Sequence, residues 1–74
     1  VDLALEDGNG NIVGVEVKAS AMSGENDFVG LKRLQRLLGS QCSKGVLLYI
    51  GDRGIALGNG LYAAPISSLF RNNY

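Results

Sequence analysis

Histidine and tryptophan are absent from this 74-residue chain, and cysteine, methionine and proline occur once each. Without histidine there can be no His-based triad, no imidazole general base and no histidine zinc site. The single cysteine, Cys42, excludes an internal disulfide framework. With no second cysteine or histidine to activate it, Cys42 reads as a structural or surface thiol rather than a nucleophile. Charge of one sign is also missing, because seven basic residues balance seven acidic ones. Nonspecific nucleic-acid binding driven by overall charge is excluded, although a local basic patch is not. The longest apolar runs, such as residues 45–50, fall far short of the ~20 residues that cross a bilayer. No membrane partner is expected, no signal peptide is visible, and the expected location is the cytoplasm. No P-loop pattern is present, so nucleotide binding is not expected of these residues.

What remains suits a small folded domain: 46% of residues are apolar and 19% charged. Residues 1–74 are expected to form one domain. Since Val1 already lies in an alternating apolar stretch, they read as a piece of something longer. Residues 1–6 alternate, with Val1, Leu3 and Leu5 against Asp2, Ala4 and Glu6. A Gly/Asn-rich turn follows, and then residues 12–19 alternate with Val13, Val15 and Val17 on one face. Two such runs around such a turn predict a β-hairpin. Helical spacing covers residues 27–38, with Phe28, Leu31, Leu34 and Leu38 on one side and Leu37 widening the stripe. Asn26 suits the N-cap and Gly39 the position after the helix. Residues 45–50 predict a parallel strand buried on both faces. Residues 55–57 and 61–64 form a short hairpin, Pro65 ends it, and residues 66–70 form a last helical turn. The expected class is α/β: a mixed sheet with a hairpin, a helix crossover to a buried parallel strand, then a short hairpin. The helix is expected to pack on Leu3, Leu5, Val13, Val15 and Val17.

The hairpin register can be derived. Leu3 and Leu5 must share a face with Val13, Val15 and Val17, since a one-residue slip would expose one set. Closing Gly8-Asn9-Gly10 on Asp7 and Asn11 gives facing pairs whose numbers sum to 18. Asp2 then lies opposite Glu16, at about 5.5 Å between Cα atoms, with Lys18 two residues further on the same face. Ala4 and Gly14 on that face are expected to leave space above the sheet. Two carboxylates facing open space suit a Mg²⁺ ion completed by waters and a phosphate. A lysine beside them can position an attacking water and steady charge on the phosphate. The plain alternative is that Asp2, Glu16 and Lys18 form the solvated face of an amphipathic hairpin.

Asp2 followed by Glu16-Val17-Lys18-Ala19-Ser20, a helix and a buried strand resembles the PD-(D/E)XK (restriction-endonuclease-like) nuclease superfamily. More narrowly, the chain is similar to the end of the uncharacterised domain found C-terminal to AAA-type ATPase modules in prokaryotic proteins. Val1-Asp2-Leu3, Gly14 to Ser20, Asp27-Phe28-Val29-Gly30-Leu31, Gly45 to Tyr49, Gly51-Asp52-Arg53 and Leu61 to Ile66 carry that similarity. The resemblance implies a restriction-endonuclease-like core fragment in which Asp2, Glu16 and Lys18 are catalytic. It implies a metal site at Asp2, Glu16 and Val17 taking weakly bound Mg²⁺ or Mn²⁺. DNA is the implied substrate and an AAA-type ATPase module the implied partner in the parent chain. Val1 stands where the superfamily signature has proline, and the preceding helix and first strand are missing from these residues. The missing strand leaves a sheet edge open, through which homo-oligomers are expected. A docking or regulatory tail with a nuclease-like fold that no longer cuts is the alternative function.

Lys32, Arg33 and Arg36 on the outer helix face, with Lys44, Arg53 and Arg71 elsewhere, could contact phosphates. An ordinary solvated face is the favoured account, since three charges on one helix face are unexceptional. Gln35 could approach the site, although nothing in the spacing requires it. Tyr49, Tyr62 and Tyr74 are too scattered for a base-stacking platform, and packing is their expected role.

Overall fold

A computed structural model describes residues 1–70 of the protein, so Arg71 and Tyr74 lie outside the described residues. The two alternating segments pair as expected, β1 (Leu3–Glu6) antiparallel to β2 (Ile12–Val17). Leu3 faces Val15, Ala4 faces Gly14, Leu5 faces Val13 and Glu6 faces Ile12, all with the constant sum derived from the loop. Asp7 fixes that loop. Its Oδ1 accepts the amides of Asn9 at 2.8 Å and Asn11 at 3.1 Å, and its Oδ2 accepts Asn11 Nδ2 at 3.2 Å. Such a side-chain bracket mimics a backbone turn and holds the register against slippage.

The helix begins differently from its expected start. Residues Glu25–Phe28 form a 3-10 turn, and α1 spans Val29–Leu38. Asn26 is not the cap: it lies inside the 3-10 turn, and Asp27 supplies the capping carboxylate. Asp27 Oδ2 accepts the amides of Ser23 at 2.6 Å and Gly24 at 3.3 Å. A carboxylate at a helix start satisfies orphan donors and suits the positive end of the dipole. Gly39 ends α1 with φ +58°, a conformation in which a Cβ is strained.

After α1 come β3 (Lys44–Tyr49), β4 (Ile55–Gly58) and β5 (Leu61–Pro65), then a 3-10 turn at Ile66–Phe70. β3 runs parallel to β2 and β5 parallel to β3, while β4 returns antiparallel on the outside of β5. The protein is an α/β fold with a mixed five-stranded sheet in the order β1-β2-β3-β5-β4 and α1 on one face. No helix among the described residues is long and apolar enough to cross a membrane.

The register assigns the two faces. Gly14, Gly45, Leu47, Tyr49, Leu61 and Ala63 share one face and are buried, whereas Leu3, Leu5, Val13, Val15, Val17, Val46 and Leu48 share the other. The helix packs on the first. Phe28 and Leu31 join Leu47, Tyr49, Leu61 and Ala63 in the core, with Met22 packed against it. The expected packing of the helix on Leu3, Leu5, Val13, Val15 and Val17 is therefore reversed; Leu3, Leu5 and Val17 are about half exposed. Small residues explain the choice. A Cβ on Gly14 would stand 2.8 Å from Leu34 Cδ2 and 3.0 Å from Leu31 Cδ2, and one on Gly45 would stand 3.2 Å from Leu31 Cδ2. Leucines of α1 thus fill the space that the glycines vacate, which maximises close contact.

The same assignment corrects two further expectations. β3 is buried on one face only, with Val46 and Leu48 half-buried on the other. Leu37 does not widen the buried stripe; it is 76% exposed on the outer side of α1.

Candidate functional site

Asp2, Glu16 and Lys18 all belong at one end of the hairpin. Glu16 is the penultimate residue of β2, Lys18 follows its last residue, and Asp2 directly precedes β1. By register, Asp2 and Glu16 lie on the face that α1 covers. The open space expected over Ala4 and Gly14 is not there, since Leu31 and Leu34 occupy the volume above Gly14. The three residues instead sit at the rim of that face, beside the start of the helix.

Each side chain has defined partners. Asp2 Oδ2 accepts the Val17 amide at 2.6 Å, and the Asp2 amide donates to the Val15 carbonyl at 3.0 Å. The carboxylate thus extends the hairpin ladder by one step beyond the paired residues. Glu16 Oε1 lies 3.4 Å from the Val1 amino nitrogen. It also packs against α1, where a Cβ on Gly30 would stand 2.7 Å from Glu16 Oε1. Lys18 Nζ reaches Asp27 Oδ1 at 2.6 Å and Ser23 Oγ at 3.0 Å, and its amide donates to the Leu48 carbonyl at 2.8 Å. The Lys18 ammonium holds the Asp27 carboxyl below its usual range, and the Ser23 amide lowers it further.

Asp2 and Glu16 bring hard oxygen donors to neighbouring strands, and one N–H bond leaves a carboxylate with capacity for further partners. Among the described residues no group of three or more histidine, cysteine, aspartate or glutamate side chains could hold a metal. Asp2 and Glu16 thus offer two carboxylates without a third such ligand beside them. Val17 contributes an amide to Asp2 here.

Three participants lay outside the sequence-based set. Asp27 and Ser23 hold Lys18, and Gly30 makes room for Glu16. Their signal was weak: Asp27 reads equally well as a helix-start acid, and a glycine early in a helix carries no message without its neighbour. Gln35 lies elsewhere. Its Nε2 donates to Asn59 O at 2.9 Å and Ser43 O at 3.4 Å, tying α1 to the β4–β5 turn. Cys42 is buried, with Sγ 3.5 Å from the Lys44 carbonyl, as expected of a structural thiol. Tyr49 packs in the core and donates its hydroxyl to Arg53 O at 2.7 Å, whereas Tyr62 is partly exposed on the open face.

The chain belongs to a family described as a domain of unknown function (DUF4143), which matches residues 1–69. Neither a curated protein nor a solved structure matches it.

Proposed function

We propose that this chain is the site-bearing part of a nuclease-like domain that hydrolyses DNA phosphodiester bonds and is joined to an AAA-type ATPase module. The supporting observation is the hairpin register. It brings Asp2 and Glu16 onto one face at the same end of two paired strands, with Lys18 just beyond. In this proposal Asp2 and Glu16, with the main chain of Val17, hold Mg²⁺ or Mn²⁺, and Lys18 stands beside the attacking water. A bound ion would supply Lewis-acid polarisation and a more acidic water. The residues' own task is to fix that water and to offset charge growing on the phosphate. The PD-(D/E)XK resemblance of residues 14–20 and the cytoplasmic setting belong to the same proposal.

Cleavage of DNA by the intact protein with Mg²⁺ or Mn²⁺, abolished by Glu16→Ala and by Lys18→Ala, is the expected result. Mn²⁺ should broaden the backbone NMR signals of Asp2, Glu16 and Val17 before those of Glu6, Asp7, Glu25 and Asp52. Equal broadening at all these acids would mean scattered surface carboxylates and would remove the metal site.

A second proposal, a docking or regulatory tail of an ATPase that no longer cuts, has its own support. Lys18 is already paired with Asp27, and the face bearing Leu3 and Leu5 is apolar and open. Intact metal-independent ATPase coupling without cleavage would favour it. β1 is an edge strand among the described residues, which supports self-association through its unpaired groups. Sedimentation of a stable monomer at high concentration would count against that.

A further inference from the structure

A lysine is a point charge on a flexible stem, so placing its ammonium beside a particular atom requires other groups to hold it. Lys18 has such groups. Its ammonium carries three donors, and two are engaged by Asp27 Oδ1 at 2.6 Å and Ser23 Oγ at 3.0 Å. Asp27 is itself anchored from the other side. Its Oδ2 accepts the amides of Ser23 and Gly24, its own amide donates to the Gly24 carbonyl at 3.1 Å, and its side chain is largely buried. One carboxylate therefore has two separate duties. The helix start needs only Oδ2; aiming Oδ1 at Lys18 is not required of a cap.

We infer that Asp27 is a positioning residue for Lys18, fixing the ammonium with Ser23 so that its third N–H is aimed. The consequence for cleavage rests on the nuclease proposal, whereas the placement of the ammonium does not. Because the pair is neutral overall, Asp27 contributes direction rather than added positive charge. The short loop from the end of β2 to the 3-10 turn is what returns Ser23 and Asp27 to the lysine they hold.

The test uses the intact protein, uniformly labelled with ¹⁵N, and follows the Lys18 side-chain ammonium signal at low temperature. A held ammonium exchanges slowly with water and gives a resolved signal. In Asp27→Asn the amide oxygen can still cap Ser23 and Gly24. The expected result is loss of the Lys18 ammonium signal while the backbone signals of Ser23 and Gly24 keep their positions. Persistence of the ammonium signal in Asp27→Asn would overturn the inference. Ser23→Ala leaves the capping carboxylate in place, so it serves if Asp27→Asn does not fold. Faster Lys18 ammonium exchange in Ser23→Ala supports the inference, and unchanged exchange opposes it. If the wild type cleaves DNA, Asp27→Asn should lower kcat by about a hundredfold, as misplacement does, with KM nearly unchanged. If the wild type does not cleave, the nuclease proposal fails while the ammonium result still decides the role of Asp27.

Discussion

The two faces of the sheet differ in a way their residues alone would suggest backwards. One carries Gly14, Gly45, Ala63, Leu47 and Leu61 and lies under α1; the other carries the valines and leucines of the hairpin and lies open. Bulk does not decide which face a helix covers. A helix settles where its own leucines can descend between strands, and glycines at Gly14 and Gly45 open that place. The β-branched face keeps its strand propensity, because those side chains suit a pleated surface whether or not anything lies above them.

The comparison is broken most directly at its centre. Phe28 is fully buried, so Phe28→Ala should cost about 3–5 kcal/mol of stability, read from urea unfolding of the intact protein. Filling the vacated space should cost less. Gly14→Val must displace Leu31 and Leu34, an overpacking loss of about 1–3 kcal/mol by the same measurement. The equally conservative Leu5→Ala on the open face should cost under about 1 kcal/mol, since Leu5 is 53% exposed. A loss at Leu5 matching that at Phe28 would mean that something covers this face in the intact protein.

Acidification separates packing from charge. Asp27 is held low by Lys18 and then by the Ser23 amide, and Asp7 by the amide of Asn9 and then by Asn11. Both folded-state values lie below the ordinary 3.8. Their contribution is therefore present above that pH and is lost as pH falls through the depressed values. Unfolding midpoints measured from pH 5 downward should decline below about pH 4. Asp27→Asn and Asp7→Asn should each flatten that decline.

Much of this was legible in the sequence, for identifiable reasons. The hairpin register followed because the alternating apolar sets and the Gly8-Asn9-Gly10 loop agree on one pairing. The parallel crossover followed from strand, helix, strand order. The covered face is not legible from hydrophobicity alone, because volume decides it: Gly14 reads as open space above the sheet, and Leu31 and Leu34 fill that space. Asn26 is not the N-cap because a 3-10 turn precedes α1: that turn is capped at Gly24, and Asp27, three residues on, reaches back to the Gly24 amide. Contacts with Lys18 and with the Ser23 and Gly24 amides distinguish Asp27. At the site, the spacing places Asp2, Glu16 and Lys18 at one end of the hairpin, but the separate partners that each side chain takes are not readable from it.

The Asp7 bracket orders events in time. Every contact it makes lies within four positions along the chain, so the β1–β2 hairpin can form within about 1–10 μs of collapse. The parallel β2–β3 and β3–β5 pairings must instead wait for long loops to close. A prefabricated hairpin would then act as the template on which the crossover docks. Asp7→Ala should accordingly slow refolding, whereas Gln35→Ala, which releases α1 from the β4–β5 turn, should chiefly hasten unfolding. Stopped-flow arms of opposite sensitivity would mark Asp7 as a residue that governs how quickly the molecule is made, and Gln35 as one that governs how long it lasts.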